Sequence, residues 1–256
     1  MTAHWKAHRP IRSTATAMAL AALLVGCLAS DETAESTASD GTSEGLPVDA
    51  SVFEVTGDET DPLTITFSNG DKTVTFIPMI HIATPAFYEA AAEKVKEQKE
   101  DGATLYYEFI DFDVLDEENK RKVRAMVAIL PTPDFYAQLS EDGYMGQNPD
   151  EFLGLVNDKD VNIDMTAMEL IEAYEEEFGV IEVTGEDATS DLSEIATTLL
   201  PPENVTRIVT DLRSQKAATA INNGPDTDIV LLFGAGHVPS IFADLQALDP
   251  RWKRTQ

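Results

Sequence analysis

The chain is 256 residues long and carries 46 acidic residues against 18 basic ones, a formal net charge of −28. Such a surface repels polyanions, which excludes nucleic-acid backbone binding and charge-driven docking on anionic headgroups. A single cysteine excludes an internal disulfide and a cysteine-based metal site, and the length sets the expectation of one domain with a helical insertion. Solubility accounts for the acidity, so each individual carboxylate is a weak site candidate unless its context singles it out.

Residues 1–26 read as an export signal. Lys6, Arg9 and Arg12 form a basic start with no acid, and an apolar run from Ala15 to Val25 follows, too short to remain as a span. The run ends in Leu24-Val25-Gly26-Cys27, which resembles a bacterial lipoprotein cleavage box. The resemblance implies cleavage before Cys27, acylation of that residue with palmitate-type chains, and a membrane anchor on the periplasmic or extracellular face. Each buried acyl methylene adds about 0.8 kcal/mol to such an anchor. The alternative is an ordinary signal peptide with an incidental cysteine. Residues 27–50, rich in Ser, Thr, Asp and Glu, are expected to form a disordered acidic tether, and residues 51–256 the folded domain.

The domain opens with alternating strands at Val52–Val55 and Leu63–Phe67, a turn at Ser68-Asn69-Gly70-Asp71, and a return strand over Thr73–Ile77. Thr84-Pro85 fits the cap and first position of a helix whose apolar face is Phe87, Tyr88, Ala91 and Val95, fading near Lys99. Ala103 to Ile110 is dense in apolar and aromatic residues and predicts a buried parallel strand containing Glu108. About residues 114–200 the pattern is mainly helical: Leu115–Leu130, Asp134–Leu139, Pro149–Val156, a helix capped by Thr166 through Tyr174, and Ser190–Leu200, with a short strand at Val161–Met165. Asn204 is expected to cap a helix through Ile221. Asp228–Gly234 is then a buried strand, and Pro239–Leu248 a closing helix. The order predicts an α/β fold: a mixed, largely parallel sheet with flanking helices and a mainly helical insertion.

The chemistry-bearing residues collect at strand ends. Beyond residue 8 the only histidines are His81 and His237, and each follows a strand and precedes a helix that opens at a proline. That edge is where ligands bind in open α/β sheets. Gly234 and Gly236 allow a sharp turn and close approach before His237. The longer dinucleotide pattern is absent. Glu108 is costly to bury in an apolar strand unless paired or metal-bound, although it also fits the exposed end of that strand beside Asp111 and Asp113. Two histidines and a carboxylate suit a facial metal site or acid–base work. Asp164, at the end of its short strand, reads as a further ligand, as a residue supporting the ligands, or simply as one acid among 46. Arg213 stands out because basic residues are scarce; an oxyanion or carboxylate contact and a plain ion pair both fit.

These residues resemble the TraB/PrgY/GumN family, which includes the Tiki metalloproteases and lies within the erythromycin-esterase/ChaN-like fold. Gly234-Ala235-Gly236-His237 is similar to the family's second Gly-x-x-His, Leu105-Tyr106-Tyr107-Glu108 to its glutamate strand, Arg213-Ser214 to its late Arg-Asn pair, and His81 to its first histidine. Two positions depart: Pro78 stands where the first motif has glycine, and Ser214 where the pair has Asn. The resemblance covers about residues 63 to 250. It implies a metal-dependent hydrolase, peptidase-like, with His81, Glu108 and His237 holding Mn, Co or Zn, Arg213 assisting, and a peptide or small molecule as substrate. It also leaves room for haem or metal capture, as in ChaN, and for an interaction protein with a vestigial site.

Overall fold

The computed structural model describes residues 57–58, 60–130, 143–147 and 155–256. The leader, Cys27, the tether, the expected strand at Val52–Val55 and the expected helix at Asp134–Leu139 lie outside the described residues, as does most of the helix expected at Pro149–Val156. Strands β1 (Gly57–Asp58) and β2 (Asp61–Pro62) form a small hairpin ahead of the main sheet. That sheet uses β3 (Ile65–Ser68), β4 (Thr73–Met79), β6 (Thr104–Tyr107), β8 (Val161–Asn162), β9 (Asp228–Gly234) and β10 (Lys253–Arg254). Its order is β10-β3-β4-β9-β6-β8. β4, β9, β6 and β8 run parallel, while β3 is antiparallel to β4 and to β10. The fold is therefore α/β with a mixed, mostly parallel six-stranded sheet and flanking helices.

The β3–β4 turn forms where the sequence places it. Gly70 takes φ 93°, and the Asn69 side chain accepts from the backbone N–H groups of Asp71 and Lys72 at 3.0 and 2.8 Å. β4 runs through Pro78 to Met79, two residues beyond the expected strand. Proline is tolerated there because β3 pairs only as far as Phe76, so no ladder bond is lost on that side, while Pro78 lies opposite Phe233 of β9.

β9 shows why the sheet is covered on both faces. Ile229, Leu231 and Phe233 join one cluster and Val230 and Leu232 another, as a period of two requires. The second cluster is closed by α1 (Pro85–Glu100) through Phe87, Ala91 and Val95, all fully buried. Thr84 caps α1 by accepting from the Phe87 N–H at 3.3 Å, with Pro85 behind it.

α2 (Glu117–Val127) and α3 (Ala167–Phe178) build a third cluster beside the sheet. α2 is shorter than the expected Leu115–Leu130, because Asp116 caps its start and Ala128 turns to φ 68°. α3 is longer than expected and starts with a complete Thr166/Glu169 capping box.

Three expectations fail. Ser190–Leu200 is a loop, because carbonyls in its first turn accept from Arg121 and Arg124 and the N–H groups of Thr197 and Thr198 go to the Asp187 carboxylate. Asn204 is not a cap: the late helix starts earlier, as α4 (Pro202–Val205) with Pro201 before it. Thr206–Leu212 then follows as a π-helical stretch, continuous with α5 (Arg213–Asn223). Glu108 lies one residue past the end of β6 rather than inside it. α5 and α6 (Val238–Leu248) pack on the first face through Ala217, Ala218, Ile221, Ile241, Phe242 and Leu245. No helix among the described residues is long and apolar enough to cross a membrane.

Candidate functional site

Register brings the strand ends together. Met79 pairs with Gly234, and Tyr107 pairs with both Leu232 and Asn162. The residues that follow each strand therefore leave one edge side by side: His81 after β4, Glu108 after β6, Asp164 after β8, and His237 after β9. The Glu108 N–H still bonds to the Leu232 carbonyl at 3.0 Å, which fixes its backbone against β9. The fifth group, Arg213, enters from the first turn of α5. All five expected residues are thus brought within electrostatic reach of one another.

Arg213 is the hub, buried at 5 % exposure. Nε and Nη2 donate to the two Asp164 oxygens, each at 2.8 Å, a bidentate fork. Nη2 also donates to Glu108 Oε1. Nη1 donates to the Val209 carbonyl and to His237 Nε2, both at 3.3 Å. The guanidinium lies over the Phe233 ring, 5.6 Å from its centroid, and His237 packs edge-on against the same ring at 4.9 Å. The other Glu108 oxygen accepts the Gly234 N–H. A Cβ on Gly234 would stand 3.1 Å from that oxygen, so a larger residue here would push the Glu108 carboxylate back by a few tenths of an ångström. Gly236 lies in the one-turn Ala235–His237 helix that leads into α6.

These contacts fix protonation. A guanidinium has only donors, so His237 Nε2 must be the acceptor and the ring proton sits on Nδ1, 2.9 Å from Ser214 Oγ. Burial lowers the His237 pKa to about 4, with Arg213 adding to the effect against Glu108 and the Thr210 carbonyl. Glu108 moves the other way. Burial alone would raise it, but Arg213 and then the histidines hold it down at about 2. Asp164, itself buried, is pushed upward by burial against the pull of Arg213. One guanidinium faces two carboxylates, and Asp164 is the one that takes a proton first as pH falls.

His81 differs from the rest. As a residue it is half-buried, and no hydrogen bond ties its ring to another described residue. Burial holds its pKa below the ordinary value, with Glu108 pulling it up and Arg213 pushing it down. Its backbone is pinned: the Ile80 carbonyl accepts from Tyr88 Oη at 2.9 Å, and the His81 carbonyl accepts from the Gln147 N–H at 2.9 Å. Next to it, β5 (Ile82–Ala83) pairs with β7 (Met145–Gly146), which lays that short strand along the histidine turn.

As arranged, the cluster does not fit a divalent ion held by His81, Glu108 and His237. Both Glu108 oxygens and the outward nitrogen of His237 are taken up by Arg213 and Gly234, and a cation would have to displace the guanidinium. Among the described residues no three His, Cys, Asp or Glu side chains stand close enough to share an ion. What the arrangement offers is a fixed buried cation, a locked neutral imidazole, and one neutral imidazole at the rim.

Sequence reasoning reached His81, Glu108, Asp164, Arg213 and His237. It treated Ser214 only as a departure from a motif and missed its contact with His237. The signal was its position beside Arg213, one residue along a helix that faces the glycine turn. Compared with known proteins, the chain matches no family model, no curated protein and no solved structure.

Proposed function

We propose that the chain is an exported hydrolase of esters or amides, peptidase-like in the manner of the TraB/Tiki group and of the ChaN-like fold, and anchored through lipid on Cys27. The observation that carries the reading is the pairing of a neutral, partly exposed His81 with the buried Glu108–Arg213–Asp164 network at the carboxyl edge of parallel strands. In this reading His81 is the general base. It takes a proton from water as the water attacks the carbonyl, and it returns that proton to the departing alkoxide or amine as the C–O or C–N bond breaks, Glu108 stabilising the imidazolium in between. A positioned base of this kind contributes roughly 10²–10⁴-fold in rate. Arg213 acts through the field of its buried charge on the developing oxyanion, while its own hydrogen bonds keep it in place.

A second reading keeps the metal. Two carboxylates and two neutral imidazoles face a single guanidinium, so the cluster holds a surplus of negative charge that a cation would offset. His81, Glu108 and His237 would then hold Mn, Co or Zn once Arg213 withdrew, and the ion would supply an activated water.

The test is hydrolysis of a panel of p-nitrophenyl esters and peptide p-nitroanilides by the full chain, with and without EDTA, beside His81→Gln. Turnover that survives EDTA and is lost in His81→Gln supports the first reading. Turnover abolished by EDTA and restored by Mn²⁺ supports the second. Absence of turnover on every member of the panel speaks against a hydrolase of this type.

A further inference from the structure

We propose that the π-helical stretch Thr206–Leu212 is a positioning element for Arg213: the turn frees the Val209 carbonyl, that carbonyl helps to hold the guanidinium in the cluster, and turn and guanidinium keep each other in place. The inference goes beyond the hydrolase reading and rests on it only for its catalytic consequence, because the register of the helix is read without any substrate.

Thr206–Leu212 is the one π-helical stretch among the described residues. Such turns are rare and gather at functional sites. A π turn closes its hydrogen bonds one residue later than an α turn, so it holds one residue more and leaves a carbonyl without its usual backbone donor. In an α-helix the Val209 carbonyl would take the Arg213 backbone N–H, four residues on. Here that N–H goes to the Thr210 carbonyl, and Val209 accepts Arg213 Nη1 at 3.3 Å instead. The same residue thus answers the carbonyl in either register, with its backbone in one and its side chain in the other. The Thr210 carbonyl is turned towards the cluster as well and faces the His237 ring.

The guanidinium has no donor to spare. Its five N–H groups meet five acceptors: Nε and Nη2 on Asp164, Nη2 on Glu108, and Nη1 on His237 and on the Val209 carbonyl. Closing the stretch to α register would return Val209 to the backbone and leave an Nη1 donor of a buried cation without its acceptor. Loss of the guanidinium would leave the Val209 carbonyl without a donor unless the turn closed. On each side the unpaired polar group is the costly state. The turn also lies between two packing surfaces. Val205 and Ile208 pack in the third cluster, and Ala217, Ala218 and Ile221 on the first face of the sheet. Deleting Val209 would close the stretch with both surfaces still seated, and Arg213 would lose that acceptor. Packing on the two surfaces is the other candidate cause of the extra residue, and the experiment separates the two.

The experiment is nuclear magnetic resonance of the full chain, with backbone carbon shifts reporting the register of Thr206–Leu212 and ¹⁵N signals of the arginine side chains reporting the guanidinium. The first variant combines Arg213→Met with Glu108→Gln and Asp164→Asn, so that no charge is left buried alone. It is expected to close the stretch to α register. A π turn retained in this variant would assign the turn to packing and overturn the proposal. The second variant is the deletion of Val209. It is expected to give a continuous α-helix and to speed hydrogen exchange at Arg213 Nη1 by roughly tenfold, the worth of one charge-assisted hydrogen bond. Exchange there as slow as in wild type would overturn the proposal as well. Neither result depends on turnover, so a chain that hydrolyses nothing on the panel still decides it.

Discussion

Among the described residues two arginines are buried, and they are used differently. Arg124, on α2, is fully buried and reads main-chain carbonyls: Nη2 donates to the Asp187 carbonyl and to Ser190 Oγ at 2.8 Å, and Nη1 donates to the carbonyls of Asp191 and Glu194. Its nearest carboxylate contact, Asp187, is at 4.0 Å, and that carboxylate is taken up by Thr197 and Thr198. Arg213 instead faces two carboxylates and an imidazole. The first arrangement is balanced in charge and staples the 187–194 loop to α2. The second carries surplus negative charge and borders a titratable residue at the sheet edge. A buried arginine by itself marks neither structure nor function; its partners decide.

Replacing each arginine breaks the comparison most directly. Arg213→Met leaves two buried carboxylates facing no cation, and should cost about 3–5 kcal/mol in urea unfolding and abolish hydrolysis. His81→Gln removes the proposed base. It should lower the hydrolytic rate by roughly 10²–10⁴-fold, with unfolding within about 0.5 kcal/mol of wild type. Arg124→Met leaves loop carbonyls without donors, but the one buried carboxylate that loses its cation, Asp187, keeps its bonds from Thr197 and Thr198. The substitution should cost about 1–3 kcal/mol and leave the rate of the proposed hydrolysis unchanged in the folded protein. Equal effects of the two arginine variants on the rate would erase the distinction.

Acid sharpens it further. His237 has an ordinary value of 6.5 and a folded value of about 4, so the fold favours its neutral form. Its contribution to stability is complete above pH 6.5 and is lost as pH falls towards 4. Glu108, lowered from 4.5 to about 2, contributes fully above pH 4.5 and loses that contribution as pH falls towards 2. Asp187 in the second hub, ordinarily at 3.8 and lowered, responds only in the more acid range. Urea unfolding at pH 7 and pH 5 should therefore show a loss that His237→Gln reduces, His81 supplying the remainder, and that Arg124→Met retains.

What could be read in the sequence follows from how local each feature is. His81 and His237 were legible because a strand, a turn and a proline-started helix bracket each of them within a dozen residues. Arg213 stood out through the scarcity of basic residues, and Glu108 through an apolar strand that it terminates. The place of Ser214 beside His237 was not legible. Its partner lies 23 residues away, and Val205, Ile208, Val209 and Leu212 keep a spacing that reads as ordinary α-helix, hiding the π-helical stretch. Arg124 sits in the run Asn119-Lys120-Arg121-Lys122-Val123-Arg124, which looks like a solvated face. Its burial depends on the 187–194 loop, about 65 residues on, which overlaps the segment Ser190–Leu200 that the sequence suggests is helical.

The central claim is that Arg213, rather than a metal ion, is the cation that organises this edge. Elemental analysis of the full chain after Mn²⁺, Co²⁺ or Zn²⁺ loading and exhaustive dialysis, beside His237→Ala, tests it most directly. The account predicts no stoichiometric metal in either protein. One equivalent retained by wild type and lost in His237→Ala would contradict it.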